Sequence, residues 1–210
     1  GETIHDITAL AGRTIYSAGR GSTPQYALEY LLRENGIDPE TDVTIQWASE
    51  HAECLAALQA DPSIVCMLPQ PFATSALAKV EGARIALDLT EVWDETVAAT
   101  GGDSQLITGV AVARSAFASE HPAAVEELLD AYAASVDFVN DDPSTAAQLI
   151  EAADIVTAQV AERAIPYCNI VCMTGAEMAG ALTGYLQTLY DADPASVGGA
   201  MPGDDFCYGA

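Results

Sequence analysis

Two hydrophobic periods alternate along the first ninety residues, the pattern of successive strand–helix units. Arg13-Thr14-Ile15-Tyr16-Ser17-Ala18 reads as a first strand. Thr23 is placed to cap a helix whose first position is Pro24; Leu28, Leu31 and Leu32 share one face of it, and Gly36 stands past its end. Val43, Ile45 and Trp47 alternate as a second strand. A short helix from about His51 to Gln59 follows, carrying Cys54, Leu55 and Leu58. Ser63 to Leu68 is a nearly unbroken apolar run between Pro62 and Pro69, as expected of a buried parallel strand. Phe72 to Val80 reads as its helix and Ala83 to Leu89 as the next strand.

Beyond residue 100 the texture changes. Thr100-Gly101-Gly102-Asp103 is a turn, and Leu106 to Ala113 reads as a strand. Helical spacing then dominates: Val125, Leu128, Leu129, Tyr132, Val136 and Val139 form a stripe on a helix opened by Pro122. Asp142-Pro143 opens another helix, ending near Ala153. Thr174-Gly175-Ala176-Glu177 has the capping-box spacing ahead of a stripe formed by Met178, Leu182, Tyr185, Leu186 and Leu189. Ser196 to Ala210 is a Gly-rich acidic tail, expected as loop. Stripes of this size need cover and predict association where they find none. The expected division is an α/β ligand-binding lobe over residues 1–107, and a crossover strand with C-terminal helices over 108–210.

The 210 residues are half hydrophobic, which excludes a disordered chain despite a net charge of -24. Seven Lys+Arg against 31 Asp+Glu argue against nucleic acid as a partner and against an anionic membrane surface. No stretch approaches the length of a membrane span, and Gly1 opens without the basic and apolar regions of a signal peptide. Five cysteines cannot all pair within the chain. Cys168 and Cys172 flank a segment that reads as a strand, where four residues span about 13 Å, beyond disulfide reach. Buried apolar thiols are the expectation, with no metal site.

Three turns carry candidate chemistry. Gly19-Arg20-Gly21-Ser22-Thr23 joins a strand to a helix start, where unpaired N–H groups and the helix dipole favour an anion. Small residues there admit close approach, the hydroxyls of Ser22 and Thr23 add donors, and Arg20 adds charge. The turn lacks the Gly-Lys-Ser/Thr ending of a P-loop and the third glycine of a dinucleotide fingerprint. Leu68-Pro69-Gln70-Pro71-Phe72 occupies the equivalent place after a later strand, on the same sheet edge; Gln70 donates and accepts while Phe72 offers a flat apolar face. Trp93, after the expected strand at 83–89, either flanks a ligand or seals a core edge.

The order strand, Gly-x-Gly-Ser-Thr-Pro, leucine-rich helix, Asn35-Gly36-Ile37, Asp42-Val43-Thr44-Ile45 strand and Leu68-Pro69-Gln70-Pro71-Phe72-Ala73-Thr74 resembles a family of ABC-importer substrate-binding proteins. These are related to the alkanesulfonate, taurine, nitrate and thiamine-precursor systems, the NMT1/THI5-like group. Gly109-Val110-Ala111-Val112, His121-Pro122-Ala123-Ala124-Val125 and Ile165-Pro166-Tyr167-Cys168-Asn169-Ile170 also look like that group. The resemblance implies a periplasmic-binding-protein type II α/β fold, here one parallel lobe plus a C-terminal helical region. It implies an N-terminal segment of the other lobe that this sequence does not contain. It further implies an extracytoplasmic protein, its signal peptide removed, that carries a small sulfonate, oxyanion or pyrimidine-like ligand to an ABC permease. Gly19, Arg20, Gly21, Ser22, Thr23, Gln70, Phe72 and Trp93 would line the cleft, without a cofactor.

Enzymatic readings find less support. His5, His51 and His121 are the only histidines and none stands in a metal-ligand motif; His51 and His121 are expected at the surface or as helix-start residues. No Gly-x-Ser-x-Gly elbow appears. A thiamine-pyrimidine synthase shares the general fold, but its cysteine-rich iron-binding segment is not reproduced by Cys168 and Cys172. An effector-sensing domain of a transcription regulator would also share the architecture, although no DNA-binding helix pair is present in the sequence.

Overall fold

Ile15, held in the core at 2% exposure, lies in a strand that pairs on both sides. In the computed structural model, which describes residues 4–203 and 205–209, this strand is β1 (Thr14–Ala18). It is flanked by β2 (Thr44–Ala48) and the short β3 (Val65–Cys66). Both neighbours are parallel to it, with Ile15 opposite Ile45 and Val65, and the sheet order is β2-β1-β3. Parallel pairing requires a crossover between strands, supplied by α1 (Thr23–Glu34) and α2 (His51–Ala60). The chain continues through α3 (Phe72–Lys79), α4 (Leu89–Thr100), α5 (Ser115–Glu120), α6 (Pro122–Asp141), α7 (Pro143–Ala152), α8 (Ala158–Ala164) and α9 (Gly175–Ala192). Asp204 and Ala210, in the expected terminal loop, lie outside the described residues.

Local signals set the bounds of α1. Pro24 fits the first turn, and the helix stops in a Schellman arrangement: the N–H of Ile37 donates to the Leu32 carbonyl at 2.9 Å and that of Gly36 to Arg33 at 3.0 Å. Gly36 carries the positive φ, +76°, that this stop needs. Leu31 and Leu32 are fully buried beside Leu28 and Ala27, so one face of the helix is committed to the core.

The chain divides into two compact units, and their boundary differs from the expected one. The first contains Gly1–Thr108 together with Thr174–Ala210; the second is Gly109–Met173. In the first unit the stripe on α9 buries Ala181, Tyr185 and Leu189, the last two in the same core as α1 and Trp93. The C-terminal helix therefore completes the α/β unit instead of joining the helices before it. Gly184 shows how closely it approaches: a Cβ there would stand 2.9 Å from the Ser104 Cβ.

Three expected strands do not form. Ala83–Leu89, Leu106–Ala113 and Asn169–Met173 have no ladder partner among the described residues, and an apolar run without a neighbour for its N–H and C=O groups is not a strand. The first ends instead at Asp88, whose carboxylate accepts from the Thr90 N–H at 2.9 Å and so starts α4 where a turn was expected. Thr174 precedes α9 as expected, but its side chain makes no capping hydrogen bond.

The second unit is helical and sparsely covered. On α6 only Val125 and Val136 are buried, whereas Leu128 is 60% and Tyr132 46% exposed. Ala146 and Ala147 of α7 are buried, yet Leu149 is 59% exposed. An open apolar groove of about 440 Å³ runs between the two helices, lined by Ala134, Phe138, Val139, Leu149 and Ile150 among others.

Candidate ligand-binding edge of the sheet

Because all three strands are parallel, the turns that follow them gather at one edge of the sheet. Gly19 to Ser22 lies between β1 and α1, Ser49-Glu50 between β2 and α2, and Met67 to Pro71 between β3 and α3. With β1 central, its turn stands between the other two.

The first turn is built on two residues in left-handed backbone, Gly19 at φ +88° and Gly21 at φ +74°. Ser22, not Thr23, is the N-cap; its hydroxyl does not cap but donates back to the Gly19 carbonyl at 2.7 Å. Thr23 is the first helical residue. The Gly21 N–H, expected to face a ligand, donates to the Gln25 Oε1 at 2.8 Å. Gln25 in turn donates to Glu29 at 2.7 Å, and Glu29 accepts from Arg33 at 2.7 Å, so the turn is tied to a polar ladder along α1. Gln25 escaped the sequence reading although Ser22-Thr23-Pro24-Gln25 has the capping-box spacing, here reaching one residue further back. Arg20 is exposed and makes no hydrogen bond or ion pair among the described residues.

In the third turn the Gln70–Pro71 peptide is cis. The Gln70 Oε1 accepts from both the N–H and the hydroxyl of Thr74, at 3.2 and 2.8 Å. This fixes the side chain over the start of α3 and leaves its NH₂ as the free polar end. Phe72, half-buried, sits at the first position of α3, 5.5 Å from the ring of His51. Gly19, Arg20, Gly21, Ser22, Thr23, Gln70 and Phe72 thus share one sheet edge.

Trp93 does not join them. It is fully buried within α4, its ring 4.7 Å from Tyr30 and 5.6 Å from Tyr185, and no ligand reaches it without opening the core. Two of the five free thiols, Cys54 of α2 and Cys66 of β3, meet each other. The Cys66 Sγ donates to the Cys54 carbonyl at 3.4 Å; burial, with the Cys54 thiol nearby, pushes it up to about 12 and makes it a poor nucleophile. Cys168 is exposed, not buried as expected. No group of three or more His, Cys, Asp or Glu side chains capable of holding a metal occurs among the described residues.

Comparison with known proteins locates this arrangement. The sequence profile of the NMT1-like family matches residues 8–154, which takes in the whole sheet and all three turns. The chain belongs to the NMT1-like family. Its fold is similar to the crystal structure, at 1.75 Å resolution, of an ABC transporter from Parabacteroides distasonis, with a TM-score of 0.73 and 24% identity. The match covers 93% of this chain and 65% of that one, so the NMT1-like chain spans less than two thirds of its structural relative. It has the α/β, periplasmic-binding-protein-like architecture with a parallel sheet. A comparison with curated proteins gives no match. Among the described residues, no helix of this NMT1-like chain is long and apolar enough to cross a membrane.

Proposed function

We propose that the NMT1-like chain is a non-enzymatic, extracytoplasmic solute-binding component of an ABC importer. In this reading it captures a small anionic or heteroaromatic ligand at the edge formed by the Gly19–Thr23 and Gln70–Phe72 turns and hands it to a membrane permease. The carrying observation is the convergence of two glycine- and proline-shaped strand-to-helix turns at the carboxyl end of a parallel sheet. Arg20 supplies the exposed charge for an anion, and the free end of Gln70 supplies polar recognition. The side chains gathered there offer no nucleophile with a paired base, which favours binding over turnover.

Calorimetry of the 210-residue chain against benzenesulfonate, nitrate and an aminomethylpyrimidine tests this reading. Saturable binding of at least one probe is expected. Gly21→Asp should weaken binding of the anionic probes by tenfold or more, because it places a carboxylate in the turn. The added atoms meet no neighbour, since nothing lies within 4 Å of a Cβ at Gly21, and the left-handed backbone there, at φ +74°, costs about 1–2 kcal/mol of stability. Unchanged affinity of a bound anion after Gly21→Asp would remove the turn from the site, and silence of all three probes would sink the carrier reading.

We extend the proposal to self-association through the helical unit, whose exposed Leu128, Tyr132 and Leu149 are the residues that would be covered. Sedimentation equilibrium should show concentration-dependent mass that Leu128→Glu with Leu149→Glu abolishes. A monodisperse wild-type monomer at tens of micromolar would count against it.

A further inference from the structure

His51 stands at a helix start as expected, but it is half-buried and in contact with a second aromatic ring. It opens α2 directly after the β2 turn, while Phe72 opens α3 after the β3 turn. Their ring contact, 5.5 Å between centroids at 44°, therefore joins the ends of the two outer strands on either side of β1. The Nδ1 of the imidazole is closed off from solvent and has no hydrogen-bond partner, whereas the residue as a whole is only partly buried. A shielded ring nitrogen with no acceptor nearby is better left as a lone pair than as an N–H, which puts the proton of the neutral ring on Nε2. The result is an aromatic N–H donor beside an aromatic face, at the same edge as Gln70 and the Gly19–Thr23 turn.

We propose that His51 is a ligand-recognition residue, which with Phe72 selects a planar organic anion over a compact one. The anionic oxygens lie toward the Gly19–Thr23 turn, the flat body packs on the Phe72 ring, and the His51 Nε2–H donates to an acceptor on the ligand. Recognition of this kind combines one or two placed polar groups with an apolar face. The inference rests on the carrier reading above and deepens it by naming the residue that sets ligand shape.

The test pairs His51→Phe with Phe72→Leu in the full 210-residue chain, using benzenesulfonate as the planar probe and methanesulfonate as the compact one. Phenylalanine preserves the ring packed on Phe72 and removes both nitrogens, so a merely structural His51 predicts unchanged binding. The proposal predicts an unchanged or higher melting temperature with at least a tenfold weaker Kd for benzenesulfonate. Phe72→Leu should narrow the preference of the wild type for benzenesulfonate over methanesulfonate severalfold. His51→Leu, smaller than phenylalanine and likewise without a donor, is the second variant should phenylalanine not be accommodated, and the same tenfold loss is expected. Wild-type affinity in His51→Phe or His51→Leu, with Gly21→Asp still weakening binding, overturns the role of His51 and leaves the carrier reading standing. Failure of the wild type to bind either sulfonate overturns the planar-anion assignment, and binding of nitrate or the pyrimidine alone would show that the carrier reading survives it.

Discussion

Replacing Trp93 by alanine should lower the unfolding free energy by about 3–5 kcal/mol, the range for deleting a large aromatic side chain from a close-packed core. The side chain is fully buried, with Tyr30 of α1 on one side and Tyr185 of α9 on the other, so its loss opens a cavity where three helices meet. For a domain whose total stability is of order 5–15 kcal/mol, the variant stands near the threshold of folding. Denaturant titration followed by far-UV circular dichroism reads the loss directly. Trp93→Phe should cost clearly less. It keeps most of the apolar area and removes the indole N–H, which is buried without a partner. A Trp93→Ala protein with wild-type stability and weakened ligand binding would return this residue to the site and overturn its assignment to the core.

The fate of Trp93 shows which parts of the molecule a sequence can disclose. The bounds of α1 were readable because every signal was local: Pro24 at the start, leucines at helical spacing, Gly36 at the stop. The gathering of the Gly19 and Gln70 turns was readable too, since strand–helix–strand order forces parallel pairing and places successive turns on one edge. Trp93 was ambiguous because its burial depends on Tyr185, distant in sequence and carried by a helix that the apolar stripe alone could not assign to a partner. The stripe on α9 says that something covers it; that α1 does so is tertiary information. The failure at Ala83–Leu89 has the same origin. Alternation favours a strand only where a neighbouring strand exists, and Asp88 supplied a local helix start that the apolar run masked. His51 was missed because its contact with Phe72 depends on how the β2 and β3 turns are brought together, which no spacing encodes.

Gly19→Ala and Gly21→Ala should separate by stability although the two glycines are a residue apart in one turn. Both need the left-handed backbone, at φ +88° and +74°, and a side chain there costs about 1–2 kcal/mol. At Gly21 that is the whole expected effect, because no atom lies within 4 Å of the added Cβ. At Gly19 the methyl would stand 2.8 Å from the Pro24 Cγ and 3.0 Å from the Ser22 Oγ. The hydroxyl can rotate away only by giving up its hydrogen bond to the Gly19 carbonyl, and the proline ring is held by the first turn of α1. Overpacking of this kind adds roughly 1–3 kcal/mol, so Gly19→Ala should lose about 2–5 kcal/mol in total. Thermal and denaturant unfolding of the two variants measure the difference. The consequence for binding follows from the same geometry: to relieve the clash the turn must shift relative to α1, moving Arg20 and the Gly21 amide that Gln25 holds. Gly19→Ala should therefore weaken ligand capture even under conditions where it remains folded, whereas Gly21→Ala should bind nearly as the wild type does. Equal stabilities for the two variants would mean that the tight packing of Gly19 against Pro24 does not shape this turn.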